Sequence, residues 1–163
     1  MAQFIHLFDE RDLASIRKVG IKAVKYPRVG EKRIYLFPQT ENFVVNHQWM
    51  RELKRYNGAS MLAARVRIPD ATLVSIGRFN QEHLQVTAAE AIRIAREHSD
   101  PLGLEVILNR AIPAKEIIAI YKPPKVGGWR YYPEAHNRKP CGCPCCQRGE
   151  PFSRKIQERY AEM

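Results

Sequence analysis

LEVILNRAIPAKEIIAIYK, residues 104–122, decides how this chain is read. LEVILNRAIP and EIIAIYK read as strands, and the Pro113-Ala114 step between them allows a bend or bulge, because proline has no N–H to give to a ladder. Inside the first run sits Glu105. A carboxylate there either points outward under the two-residue alternation of a strand or is buried for a reason, since burying it unpaired is costly. What Glu105 does depends on what else the chain brings to it.

Upstream, FIHLF (4–8) is a short apolar run centred on His6 and reads as a strand. DLASIRKVGI follows as a helix, with Asp9 or Asp12 to cap it, Leu13 and Ile16 on one face and Gly20 as C-cap. KAVKYPRVGEK is polar, with Pro and Gly, and reads as a loop. RIYLF (33–37) is a second short strand, ended by Pro38. TENFVVNHQWMRELKRY reads as a helix capped by Thr40, followed by a break at Asn57-Gly58. SMLAARVRIPD and TLVSIGRF supply two more strands. TAAEAIRIAREHS is a helix with Thr87 as N-cap and Glu90 at the capping-box position, and DPLG is a turn. Strands of about five residues separated by helices, without regular βαβ alternation, predict an α+β body.

The whole chain, 163 residues with 45% hydrophobic and 27% charged residues, fits one domain with a small appendage. No apolar run is long enough for a membrane helix, and MAQFIHLFDERDL lacks the pattern of a signal peptide. The expectation is a cytoplasmic protein with reduced thiols and no membrane partner. The net charge of +10, from 27 Lys and Arg against 17 Asp and Glu, suggests a polyanion, with nucleic acid first; the alternative is charge that only keeps the protein soluble. From Lys122 onward nine Lys or Arg stand against four Glu, so half of the excess lies in the last quarter of the chain. PPKVGGW marks a boundary, giving a body of 1–121 and a basic, aromatic, cysteine-rich tail of 122–163.

Motifs for common chemistries are missing: no GxxxxGK[ST] loop, no GxGxxG after a strand, no GxSxG elbow and no HExxH pair. What remains is a set of polar residues inside otherwise apolar strands: His6 in FIHLF, Tyr35 in RIYLF and Glu105 in LEVIL. Singly, each has an ordinary explanation. A strand histidine is usually hydrogen-bonded in place, a strand tyrosine packs, and a strand glutamate can face solvent.

In this order, with the LxxIxxxGI helix after His6 and with Ala111-Ile112-Pro113 and Ile117 after Glu105, the chain resembles the H-Y-E branch of the ADP-ribosyltransferase superfamily. That branch includes poly-ADP-ribose polymerases, diphtheria-like toxins and small bacterial relatives. The resemblance covers residues 4 to 121 and implies split antiparallel sheets flanked by helices, with NAD as substrate. By the family pattern His6 would hydrogen-bond a ribose hydroxyl of the adenosine half, and Tyr35 would stack on the nicotinamide ring. Glu105 would be catalytic, holding the nicotinamide ribose and stabilising the oxocarbenium-like charge that grows as nicotinamide leaves. Arginine-specific branches carry a second Glu two residues earlier. Here Gly103 stands there, which disfavours arginine as acceptor. Glu90 is a competing carboxylate, read as a capping residue.

The tail is outside the resemblance. KPPKVGGWRYYPEAHNRK offers cations for phosphates and Trp129, Tyr131 and Tyr132 for base stacking; the alternative is that these rings pack the tail onto the body. All four cysteines fall in CGCPCC. Cys141 and Cys143 can chelate one zinc ion, Cys146 lies at C-x-x-C spacing from Cys143, and His136 can supply the fourth ligand, whereas Cys145 fits worse. Free or redox-active thiols are the alternative. A closed four-ligand site would be structural and would anchor the tail. The expected activity is mono-ADP-ribosyl transfer from NAD to a macromolecule, possible nucleic acid included, in a toxin or a housekeeping role. Its rivals are NAD glycohydrolysis on the same fold and a non-enzymatic, zinc-containing nucleic-acid-binding protein.

Overall fold

Apolar alternation along several short segments requires them to pair, and they pair into a single antiparallel framework. The computed structural model describes residues 1–26, 30–41, 45, 46, 48–50, 53, 60–79 and 81–123. The tail beyond 123, with its cysteines and His136, lies outside them, as do Asn57-Gly58 and most of the helix expected after Thr40.

The strands are β1 (Ala2–Asp9), β2 (Val24–Lys25), β3 (Lys32–Pro38), β4 (Met61–Ile68), β5 (Leu73–Arg78), β6 (Leu84–Thr87), β7 (Leu104–Leu108) and β8 (Ile117–Tyr121). The helices α1 (Leu13–Val19) and α2 (Ala88–Glu97) accompany them among the described residues. The sheet order is β6-β5-β7-β3-β1-β4-β8, with β2 added on β3, and every strand pair among the described residues is antiparallel. The α+β class expected from the sequence is what forms. Among the described residues no helix is long and apolar enough to cross a membrane.

The central seam is weak. β1 meets β4 from Ala2↔Ile68 to Asp9↔Met61, but it meets β3 only at Phe4↔Pro38 and Ile5↔Phe37. From His6 onward β1 stays with β4, while β3 stays with β7 through Ile34, Tyr35 and Leu36. The sheet therefore opens between its two middle strands, at the residues the sequence singles out.

One sheet face carries the main core. Phe4, Leu36, Val66, Val106 and Leu108 are buried there with Ala88, Ala91 and Ala95 of α2. Those alanines repeat at helical spacing, and their small side chains let the helix lie close on the strands. Thr87 caps α2 as expected, its Oγ1 accepting from the Glu90 N–H at 3.2 Å. The Glu90 carboxylate pairs with Arg93 on the exposed helix surface, so Glu90 joins the cap through its N–H and its side chain does not complete the expected capping box.

Several local expectations change. Asp9 caps a 3-10 turn (Glu10–Asp12) ahead of α1, and Asp12 makes no side-chain cap bond. Part of the expected loop KAVKYPRVGEK is β2, because Val24 and Lys25 pair with Arg33 and Lys32. Strand β7 ends at Leu108, short of the expected LEVILNRAIP, and β8 is not its partner: β8 lies beyond β1 and β4 at the far edge. The reason lies in the AIP step. Ile112, fully buried, exchanges both backbone hydrogen bonds with Ile21 at 2.8 and 2.9 Å, so the chain is held at the end of α1 as it crosses to the other half. Gly20 makes that crossing possible. It has φ +87°, and a Cβ there would lie 2.0 Å from the Ile112 carbonyl oxygen.

Candidate active site

The second sheet face is built differently. Alternation sends Arg33, Tyr35 and Phe37 of β3 and Glu105 of β7 to the side opposite the main core. Ile5, Leu7, Phe37, Trp49 and Met50 form a smaller apolar cluster there. Between this cluster and the opening at the seam lies a cavity of about 420 Å³. His6, Tyr35 and Glu105 all line it, together with Lys22, Arg33 and Trp49. The cavity is within the size range of small-molecule sites.

His6 stands where the seam parts. Its Nδ1 is 2.9 Å from the Tyr35 carbonyl oxygen, spanning the gap that strand pairing leaves. A carbonyl only accepts, so Nδ1 carries the hydrogen and Nε2 keeps its lone pair. Burial holds the imidazole below its ordinary pKa, opposed by the Tyr35 carbonyl and by the charge of Asp12. His6 is a neutral ring in the pH range where most histidines begin to charge.

Tyr35 meets Tyr26 edge to face, ring centres 5.3 Å apart. Burial raises the Tyr26 phenol above its usual pKa, helped by Tyr35 and Glu105. Further along, Trp49 meets Phe79 edge to face at 5.4 Å and stacks near Phe37 at 6.5 Å. These rings form an apolar wall of the cavity.

Glu105 is only 7% exposed. The inward alternative of the sequence reading is therefore the correct one. Burial pushes its carboxyl up to about 7, with the Arg33 cation pulling the other way. Two polar side chains absent from the sequence reading fix the start of its strand. The Trp49 Nε1–H donates to the Leu104 carbonyl at 3.1 Å. Gln48, wholly buried, accepts from the Gly103 N–H, and Gly103 turns the chain into β7 with φ +83°. Position 103 thus serves the turn.

A third residue the sequence reading passed over is His83, whose Nε2 lies 3.2 Å from Glu105 Oε1. Nothing in NQEHLQ marks it, and only the Gly77↔Glu105 pairing brings it near. Arg33 likewise gave no signal within RIYLF. Its Nε is buried without a hydrogen-bond partner among the described residues, and one terminal nitrogen is 3.4 Å from Glu31. With Lys22 it gives the cavity positive charge opposite a single buried carboxyl.

Among the described residues no group of three or more His, Cys, Asp or Glu is placed to hold a metal ion. The zinc ligands expected from the sequence, Cys141, Cys143, Cys146 and His136, are outside those residues. No protein-family model, curated protein or solved structure matches the chain.

Proposed function

We propose that the chain is an NAD-dependent mono-ADP-ribosyltransferase whose catalytic residue is Glu105 and whose NAD-binding residues include His6 and Tyr35. One observation carries the reading: the three residues of the family pattern, far apart in sequence, line the same cavity. Tyr35 and Glu105 meet across the paired strands β3 and β7, and the opening between β1 and β3 brings His6 to them. That opening also favours the split-sheet arrangement of the superfamily over an ordinary continuous sheet.

The chemistry suits the residues. Nicotinamide leaves NAD with development of positive charge on the ribose, and a carboxylate in a poorly hydrated site acts strongly on such charge. Glu105 is so placed, at the side of the cavity where water is scarce. Tyr35 and Tyr26 offer aromatic faces and edges to a cationic ring. Arg33 and Lys22 offer the charge that a pyrophosphate requires. A neutral His6, its Nδ1–H already engaged, has Nε2 left to accept a hydrogen bond from a ribose hydroxyl.

Nucleic acid is the proposed acceptor, on the net charge of +10 and the basic, aromatic tail. The test is NAD labelled on the adenylate phosphate, incubated with separate pools of DNA, RNA and cell protein, with free nicotinamide quantified. Label entering DNA or RNA with wild type and not with Glu105→Gln supports the reading. Nicotinamide release without transfer turns it to a glycohydrolase. Neither release nor label from folded protein rejects NAD chemistry, and salt-dependent nucleic-acid binding indifferent to Glu105 would favour a binding module.

A further inference from the structure

His83 lies between β5 and β6, yet both of its ring nitrogens are committed. Nδ1 is 2.9 Å from the Gln81 carbonyl oxygen, and Nε2 is 3.2 Å from Glu105 Oε1. The carbonyl accepts only, so Nδ1 carries a hydrogen. In a neutral ring Nε2 then presents a lone pair, and an ionised carboxylate presents another. The contact is bonding only when one proton lies between them, either on the carboxyl, donating to Nε2, or on Nε2 of an imidazolium, donating to the carboxylate. The side chains are 17% and 9% exposed, leaving little water to take the proton's place.

The backbone is arranged to permit this contact. Gly77 pairs directly with Glu105, and a Cβ on Gly77 would fall 2.7 Å from the Glu82 carbonyl oxygen and 3.0 Å from His83 Cγ. The missing side chain lets the segment before β6 fold over the sheet and set the imidazole against the carboxyl.

We propose that Glu105 and His83 share one proton, which makes His83 the positioning residue that sets when Glu105 is a free carboxylate. This deepens the proposed function and rests on the assignment of Glu105 as its catalytic residue. Arg33 of β3 acts on Glu105 by charge, Tyr26 faces it from the segment after β2, and His6, Lys22 and Tyr35 share its cavity. Glu82, next to His83, is exposed. Burial raises the Glu105 carboxyl to about 7 against the pull of Arg33, so a proton is there to be shared near neutrality.

In transfer, the bond between ribose C1′ and the nicotinamide nitrogen breaks and its electron pair leaves with nicotinamide. A lone pair of the acceptor forms the new bond to C1′, and the acceptor's O–H or N–H proton passes to Glu105 and is then shared with His83 Nε2. The pair starts without the proton and ends with it, then returns it to water. A shared proton cancels the charge that the oxocarbenium-like ribose needs, so the protonated pair is inactive and the rate rises with pH as the proton is lost. The acceptor class that fits is a neutral hydroxyl or base N–H, which has a proton to surrender.

The experiment has one readout that does not depend on NAD. In ¹⁵N NMR of the full chain at about pH 6, Nδ1 of His83 should carry its hydrogen and Nε2 should show the chemical shift of a shared proton. In Glu105→Gln the amide N–H donates to Nε2, which should then read as a plain acceptor. The same Nε2 signal in both proteins overturns the proposal. The second readout is the pH profile of nicotinamide release. His83→Gln donates an amide hydrogen without needing a titratable proton, so its acid limb should move to lower pH by about one unit, whereas His83→Ala should not reproduce that shift. Superimposable profiles for wild type and His83→Gln overturn the role of His83. A shared proton seen by NMR with no nicotinamide release from any protein would uphold the contact and reject the NAD reading.

Discussion

β7 presents two buried faces that have little in common. Leu104, Val106 and Leu108 belong to the main core, while Glu105 looks into the cavity, and all five residues of the strand are buried. On the core face, alanines of α2 come down to the strands and side chains fill the space. On the cavity face, the rings of Tyr26, Tyr35, Trp49 and Phe79 line an open space beside the carboxyl. Burial by itself therefore says nothing about role. Close packing with small partners makes a core, and rigid aromatic partners around one carboxyl make a site.

The sharpest way to break this comparison is to change one residue on each face. Glu105→Gln should lower ADP-ribosyl transfer by on the order of 100-fold or more while leaving the fold intact, checked by nicotinamide release and circular dichroism. Leu108→Ala, at a side chain only 1% exposed, should do the reverse. It should cost about 2–5 kcal/mol in denaturant unfolding with little change in turnover of the folded fraction. Equal effects of the two on stability and turnover would dissolve the distinction.

A pH series sharpens the contrast further. Raised from the ordinary 4.5 to about 7, Glu105 keeps its proton in the folded state when the unfolded chain has lost its own. Stability from this group is complete below about pH 4.5, falls as pH rises through that window and is lost above about 7. The difference is about 3 kcal/mol at 1.36 kcal/mol per pH unit, and Glu105→Gln should remove it. His6 has the opposite sign: its lowered pKa costs stability as pH falls below the ordinary 6.5 through its folded value. Thermal melts of wild type, Glu105→Gln and His6→Gln across pH separate the two, and a wild-type curve flat between pH 4.5 and 7 would contradict the buried state of Glu105.

Smaller effects test the walls of the cavity. Tyr35→Ala should weaken NAD binding by about tenfold, close to 1.4 kcal/mol, measured by calorimetry with the inactive Glu105→Gln background. Gly77→Ala would set a methyl 2.7 Å from the Glu82 backbone carbonyl oxygen, so the segment that carries His83 must shift. It should disturb the acid limb of the activity profile more than it lowers the maximum rate.

Much of this molecule was legible before its structure. The strands around His6 and Tyr35, the Thr87 cap of α2, the Gly20 stop of α1 and the DPLG turn follow from local rules, because each depends on residues adjacent in sequence. β2 and β6 were not legible. They are only two and four residues long, and pairing with β3 and β5 holds them extended. The separation of β7 from β8 was equally hidden, since it depends on Ile112 bonding to Ile21 across the fold.

The candidate site divides in the same way. The sequence by itself determined that the chain would be α+β, that its charge would be strongly positive, and that His6, Tyr35 and Glu105 were the polar residues of apolar strands. Periodicity and composition suffice for that, because they are properties of neighbours along the chain. Only the tertiary structure decided that Glu105 faces inward, that β1 and β3 part at His6, and that Arg33, Trp49 and His83 gather around the same carboxyl. The physical reason is sheet register. A cross-strand neighbour such as Gly77 opposite Glu105 is fixed by hydrogen bonds between segments distant in sequence, and no local pattern encodes which residue will stand across from which.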